Sequence, residues 1–120
     1  MLNKNAHLHD AVFSKDIAEK PTRDGFGLGT VEAGKKNANV VVLCADLKES
    51  TRAEWFENEF PDRLIEVGVA EQNMATVASG MAAVGKRPFM ASYAAFSPGR
   101  NYEQIRTTIA LNQQPVVVCG

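Results

Sequence analysis

Val67-Gly68-Val69-Ala70-Glu71-Gln72-Asn73-Met74 joins an apolar strand to a helix of small residues and sets a carboxylate at the junction. Two readings of Glu71 follow. In the first turn of a helix, an acid meets free N–H groups and the positive end of the dipole, an interaction worth about 0.3–1 kcal/mol. At the carboxyl end of a parallel strand, the same acid stands where open α/β sheets bind ligands. The rest of the chain decides between them.

Outward from this junction, apolar runs alternate with helical sequence. Val40-Val41-Val42-Leu43-Cys44 is a continuous run rich in β-branched residues, the pattern of a strand buried on both faces. Further strands are predicted at Arg63 to Val67, Arg87 to Tyr93 and Pro115 to Cys119. Helices are predicted at Gly25 to Ala38, at Leu47 to Phe60 with Pro61 as the stop, at Glu71 to Val84 closed by Gly85, and at Asn101 to Asn112. The alternation predicts an α/β fold: a parallel sheet with helices on both faces. The chain stops at Gly120, where a further βα loop would begin, so the domain is expected to be incomplete, with one sheet edge or face uncovered.

Composition narrows the function. A chain of 120 residues with 45% hydrophobic and 22% charged residues is globular and at most one domain. Its formal net charge of -1 removes the electrostatic case for nucleic acid or an anionic membrane. Met1 to Asp10 is polar, without the apolar core of a signal peptide, and no membrane span is evident, which together predict a cytoplasmic protein. Residues 1–20 read as a leader, disordered or helical, ahead of a folded portion at 21–120. His7 and His9 lie in that leader without the further ligands that would close a metal site. Cys44 and Cys119 end valine runs and read as buried, reduced thiols. Gly25-Phe26-Gly27-Leu28-Gly29 follows no strand and lacks dinucleotide-fingerprint spacing.

Residues just past the strand ends of such a sheet converge on one rim. Here they are Asp46, Ser50, Glu71, Tyr93 and Phe96; the two aromatics read equally as core. In this light the sequence resembles the pyrimidine-binding domain of transketolases, especially the separate C-terminal subunit of split transketolases. The resemblance is carried by Ala45-Asp46-Leu47 with Ser50-Thr51, by Phe60-Pro61-Asp62-Arg63 and by Val67 to Met74. It continues through Ala78 to Ala82, Gly85 to Phe89, Phe96, Gly99-Arg100 and Tyr102 to Arg106.

The resemblance implies a thiamine-diphosphate-binding fold and transfer of a two-carbon ketol unit from a ketose phosphate to an aldose phosphate. It implies that Glu71 hydrogen-bonds N1′ of the cofactor's aminopyrimidine and favours the imino tautomer that removes the thiazolium proton. Burial among Val69, Met74 and aromatic residues would push the carboxyl pKa upward, as that role needs. By the same resemblance Tyr93 and Phe96 form the pyrimidine pocket, Asp46 lies near the thiazolium and the dimer interface, and Arg23 with Ser50 holds the substrate phosphate. The family's third aromatic falls near Gly99, where this sequence has none. The Gly-rich start of the first helix is then expected to allow close approach to the phosphate.

Diphosphate and Mg²⁺ would be held mainly by a diphosphate-binding domain or N-terminal transketolase subunit, in a homodimeric or heterotetrameric assembly. The small residues after Glu71 suit either packing within the domain or a dimer helix pair. Histidines for the sugar would lie beyond Gly120, so the chain alone is expected to be inactive. Within the same chemistry the alternatives are deoxyxylulose-phosphate synthase and an E1 β-like subunit, which share the Val-Ala-Glu-Gln core; Asn73-Met74 and Gln104-Ile105-Arg106 favour transketolase. From another class, the alternative is a non-catalytic fragment acting as an interaction module.

Overall fold

A computed structural model describes residues 5–120; residues 1–4 of the expected leader lie outside the described residues. From residue 5 to residue 20 the chain makes turns and no helix, and most of these residues are exposed. His7 and His9 hydrogen-bond to nearby backbone.

Four strands, β1 (Val40–Cys44), β2 (Leu64–Glu66), β3 (Arg87–Ala91) and β4 (Val117–Cys119), form one sheet in the order β2-β1-β3-β4. Every pairing is parallel. The parallel pairs demand crossovers. These are supplied by α2 (Lys48–Thr51) and α3 (Ala53–Glu59) after β1, by α4 (Glu71–Ala83) after β2, and after β3 by α5 (Tyr102–Gln104) running into a π-helical stretch, Ile105–Ala110. Helix α1 (Thr22–Lys36) precedes the sheet.

The five residues of β1 are all buried, as a central strand requires, and they alternate between two cores. Val40, Val42 and Cys44 pack with Ala53 and Phe56 of α3, and Phe26, Val31 and Ala33 of α1 join them. Val41 and Leu43 pack on the other face with Met74, Ala75 and Ala78 of α4, Met90 of β3 and Ile109 of the π-helical stretch. Helices therefore cover both faces of the sheet.

This arrangement positions the site. The connection leaving β1 runs to the face of α1 and α3, whereas the connection leaving β3 runs to the face of α4. Adjacent strands whose exits part to opposite faces leave a crevice at their carboxyl ends, where open α/β sheets hold ligands.

Three expectations are corrected. The predicted helix from Leu47 to Phe60 breaks at Arg52, whose φ of 68° caps α2 and opens α3. The Asn101 to Asn112 helix is mostly π-helical. Thr107 and Thr108 hydroxyls donate to the carbonyls of Glu103 and Gln104, and Ser79 Oγ donates to Thr108 O at 2.6 Å, so side chains take carbonyls that the α-helical ladder uses. The first helix starts at Thr22, and Gly27 faces Trp55, with a Cβ there only 2.6 Å from the indole. That glycine serves close packing of α1 on α3.

Candidate functional site

Two turns at the strand ends are tied by one side chain. Glu66, the last residue of β2, accepts with Oε1 from the N–H of Asp46 at 2.7 Å and from the N–H of Gly68 at 2.9 Å. Asp46 and Gly68 have φ of 60° and 69°, so both turns use the left-handed region, which glycine adopts at least cost. Glu66 thereby fixes two left-handed turns at once. The first carries Asp46; the second leads into α4 and so sets Glu71.

Glu71 opens α4 and is 3% exposed. Arg100 donates from Nη1 to both its oxygens, at 3.3 and 3.2 Å. The Arg100 guanidinium also lies over the Phe96 ring, 4.1 Å from its centroid. Phe96 in turn stacks on Tyr93 with centroids 6.1 Å apart and planes 24° from parallel. A continuous chain of contacts thus runs Glu71, Arg100, Phe96, Tyr93. The expected surroundings of Glu71, Val69 with Met74 and aromatic residues, are corrected in part: Met74 is buried, but Val69 is exposed and the Arg100 cation faces the carboxylate.

The loop that carries these aromatics, 92–101, is itself anchored. Asn101 is fully buried and donates from Nδ2 to Glu71 O at 3.1 Å and to Ser97 Oγ at 3.2 Å, joining the start of α4 to the aromatic loop. The Ser97-Pro98 peptide is cis. A Cβ at Gly99 would stand 2.9 Å from Ala95 O, so the loop as folded has no room for a side chain there.

Two clefts open on this rim. The first, of about 470 Å³, is lined by Arg23 and Ser50 together with Thr22, Phe26, Ser92 and Tyr93. Arg23 Nη1 reaches Ser50 O at 3.5 Å, and its guanidinium forms no salt bridge among the described residues. The second, of about 580 Å³, is bounded by residues 69–73 and Arg100, with Glu71 at its wall. The predicted residues therefore separate into an Arg23, Ser50 and Tyr93 group and a Glu71 group, bridged by the Tyr93–Phe96 stack. Asp46 is exposed and lines neither cleft.

Beneath the rim, burial pushes the Cys44 thiol above its ordinary value, against an opposing hydrogen bond from the Leu47 backbone, and burial also raises Cys119. Both cysteines are free; Cys44 is buried as expected and Cys119 only half-buried.

Sequence reading gave no role to Arg100, Asn101 or Glu66. The signal for Arg100 was a lone cation in the loop opposite a buried acid, since a buried charge needs a partner.

Comparison with known proteins adds the following. Residues 18–120 match the family described as "Transketolase, pyrimidine binding domain". A protein of Methanocaldococcus jannaschii provisionally named as a transketolase C-terminal section is 47% identical over 91 residues, covering 76% of this chain and 29% of that protein. A 1-deoxy-D-xylulose-5-phosphate synthase of Clostridium perfringens is 37% identical over 112 residues, 93% of this chain and 18% of the synthase. Among solved structures, one described as "Split gene transketolase, inactive beta4 tetramer" superposes with a TM-score of 0.73 at 42% identity, over 81% of this chain and 32% of its own. The chain thus spans less than a third of the length of these relatives.

Proposed function

Since the chain belongs to the transketolase pyrimidine-binding domain family, we propose that it forms the pyrimidine-binding part of a thiamine-diphosphate-dependent transketolase. That enzyme moves a two-carbon ketol unit from a ketose phosphate to an aldose phosphate. The observation that carries the reading is a buried carboxylate, Glu71, joined through Arg100 to the stacked aromatics Phe96 and Tyr93 at the carboxyl-end crevice.

These residues fit the aminopyrimidine end of the cofactor. A flat ring needs an aromatic face and a nitrogen heterocycle needs a hydrogen-bonding partner held in place, and Phe96 and the buried Glu71 offer the two. When bound, thiamine diphosphate supplies the electron sink for carbon–carbon bond cleavage and formation. The chain's own residues bind and orient. Glu71 would exchange a hydrogen bond with the ring nitrogen, Tyr93 and Phe96 would hold the ring face, and Asp46, on the adjoining turn, would serve the thiazolium end. Arg23 and Ser50 take the substrate phosphate in the other cleft, where a guanidinium free of carboxylate partners suits an oxyanion.

We assign the diphosphate and Mg²⁺ to a diphosphate-binding domain or N-terminal subunit, in a homodimeric or heterotetrameric assembly. The relative described as "Split gene transketolase, inactive beta4 tetramer" supports the need for a partner subunit. The likeness to a deoxyxylulose-phosphate synthase over 93% of the chain keeps that activity as the second reading. The assembled enzyme is to be offered a ketose phosphate with an aldose phosphate, or pyruvate with an aldose phosphate. Transfer in the first mixture is expected; carboxyl loss from pyruvate instead selects the synthase. In either case Glu71→Ala is expected to lower turnover by roughly a hundredfold or more, and near-normal turnover would return Glu71 to a helix-end acid.

A further inference from the structure

Arg100 and a nitrogen ring would need the same place. The guanidinium is flat, carries N–H donors in its plane and stacks on aromatic faces. In this chain it uses all three properties. It lies 4.1 Å from the Phe96 centroid, donates from Nη1 to both oxygens of Glu71 and borders the same cavity as that carboxylate. An aminopyrimidine asks the site for an aromatic face below its plane and a carboxyl at its edge. Both requests go to atoms that Arg100 already holds.

We propose that Arg100 is a built-in competitor for the pyrimidine ring: its guanidinium fills the ring's place in the chain alone and yields it when the cofactor enters. The inference rests on the reading of Glu71 and Phe96 given above and adds the competition to it.

The geometry favours departure of the arginine over movement of the acid. Glu71 is 3% exposed, and its backbone carbonyl is held by the fully buried Asn101, whereas the Arg100 side chain is about half exposed, at 49%. The carboxylate therefore stays while the cation leaves toward solvent. The competitor also keeps the buried carboxylate from standing unpaired before the ring arrives. Its cost is affinity, because a site open for only a fraction of the time binds more weakly by that fraction.

The test is calorimetric titration of thiamine diphosphate, with Mg²⁺, into the assembled enzyme carrying wild-type chain, Arg100→Met or Arg100→Lys. Arg100→Met is expected to bind about tenfold more tightly than wild type, corresponding to a site about nine-tenths closed. Arg100→Lys is expected to fall between, since an ammonium pairs with Glu71 but has no flat face for Phe96. Equal or weaker binding by both variants overturns the proposal and makes Arg100 a support of the site. Should Arg100→Met not fold, the lysine variant and the wild-type assembly still decide. With ¹⁵N-arginine labelling, the Arg100 side-chain Nε–H resonance, assigned by its loss in Arg100→Lys, is expected to shift on saturation with thiamine diphosphate. An unmoved resonance contradicts displacement. Failure of the functional reading looks different: a wild-type assembly that binds no thiamine diphosphate, or Glu71→Gln binding it as wild type does, removes the ring site and the proposal with it.

Discussion

Three carboxylates and a thiol near the carboxyl ends of β1 and β2 behave differently because their neighbours differ. Glu66 is exposed yet its Oε1 accepts two backbone N–H groups, so it fixes turns. Glu71 is buried and paired, and Asp46 projects from a left-handed turn into solvent. Cys44, at the centre of the sheet, has no exposed surface, and burial raises its pKa above the ordinary 9.0. The sign of its contribution follows by linkage. The unfolded chain releases the thiol proton first, so stability from this group is whole below about pH 9 and declines as pH rises toward the folded value. Urea unfolding from pH 7.5 to 10 is expected to show stability falling above about pH 9 more steeply in wild type than in Cys44→Ala. Parallel curves would mean that other groups carry the alkaline loss. Cys119, also raised by burial, adds a slope of the same sign.

Helix α1 shows why glycine content alone misleads. Gly34 lies against Phe56 and Phe60, with a Cβ there 2.7 and 2.6 Å from the two rings, whereas Gly29 faces open space. Gly34→Ala is therefore expected to destabilise the fold by about 1–3 kcal/mol through overpacking. Gly29→Ala is expected to stabilise it by about 0.5–1 kcal/mol, since only helix propensity changes. Chemical denaturation of the two variants checks both, and a stabilising Gly34→Ala would refute the packing account. At this scale much was legible in the sequence. The β1 limits, the α4 start at Glu71 and the close at Gly85, with φ of 91°, follow from an apolar run, an acid after a strand and a glycine after a helix. The break at Arg52 was not legible, because nothing local marks an arginine for the left-handed region. It is held from α1, by Asp24 Oδ1 at 3.0 Å from Nε, and its guanidinium stacks over Trp55 of α3. The π-helical stretch likewise depends on Ser79 of another element. The candidate site divides the same way: strand-end positions pointed to Glu71, Tyr93 and Phe96, but the Arg100 bridge between them appears only when the loop after β3 folds back on α4.

Across the whole molecule, the fold puts two chemistries on one rim and keeps them apart. The cleft of Arg23 and Ser50 belongs to the α1 face and the cleft of Glu71 and Arg100 to the α4 face; they share no lining residue. Their link is the Tyr93–Phe96 stack, with Tyr93 in the first cleft and Phe96 under the Arg100 of the second. If the first takes substrate phosphate and the second the cofactor ring, mutations should separate by parameter. Arg23→Gln is expected to raise KM for the phosphorylated donor by roughly 10- to 100-fold, the loss of a charge-assisted hydrogen bond of about 1.5–3 kcal/mol. It should leave the affinity for thiamine diphosphate unchanged. Glu71→Gln should lower kcat and weaken the cofactor while leaving the dependence on substrate phosphate in place. In the double variant the losses in kcat/KM should add to within about 0.5 kcal/mol, as for sites without shared partners. A coupling well above that would trace to the aromatic stack, and Tyr93→Ala should then abolish it. Coupling that survives the loss of Tyr93 would mean that Arg23 and Glu71 act on one ligand group, which the separation of the two clefts forbids.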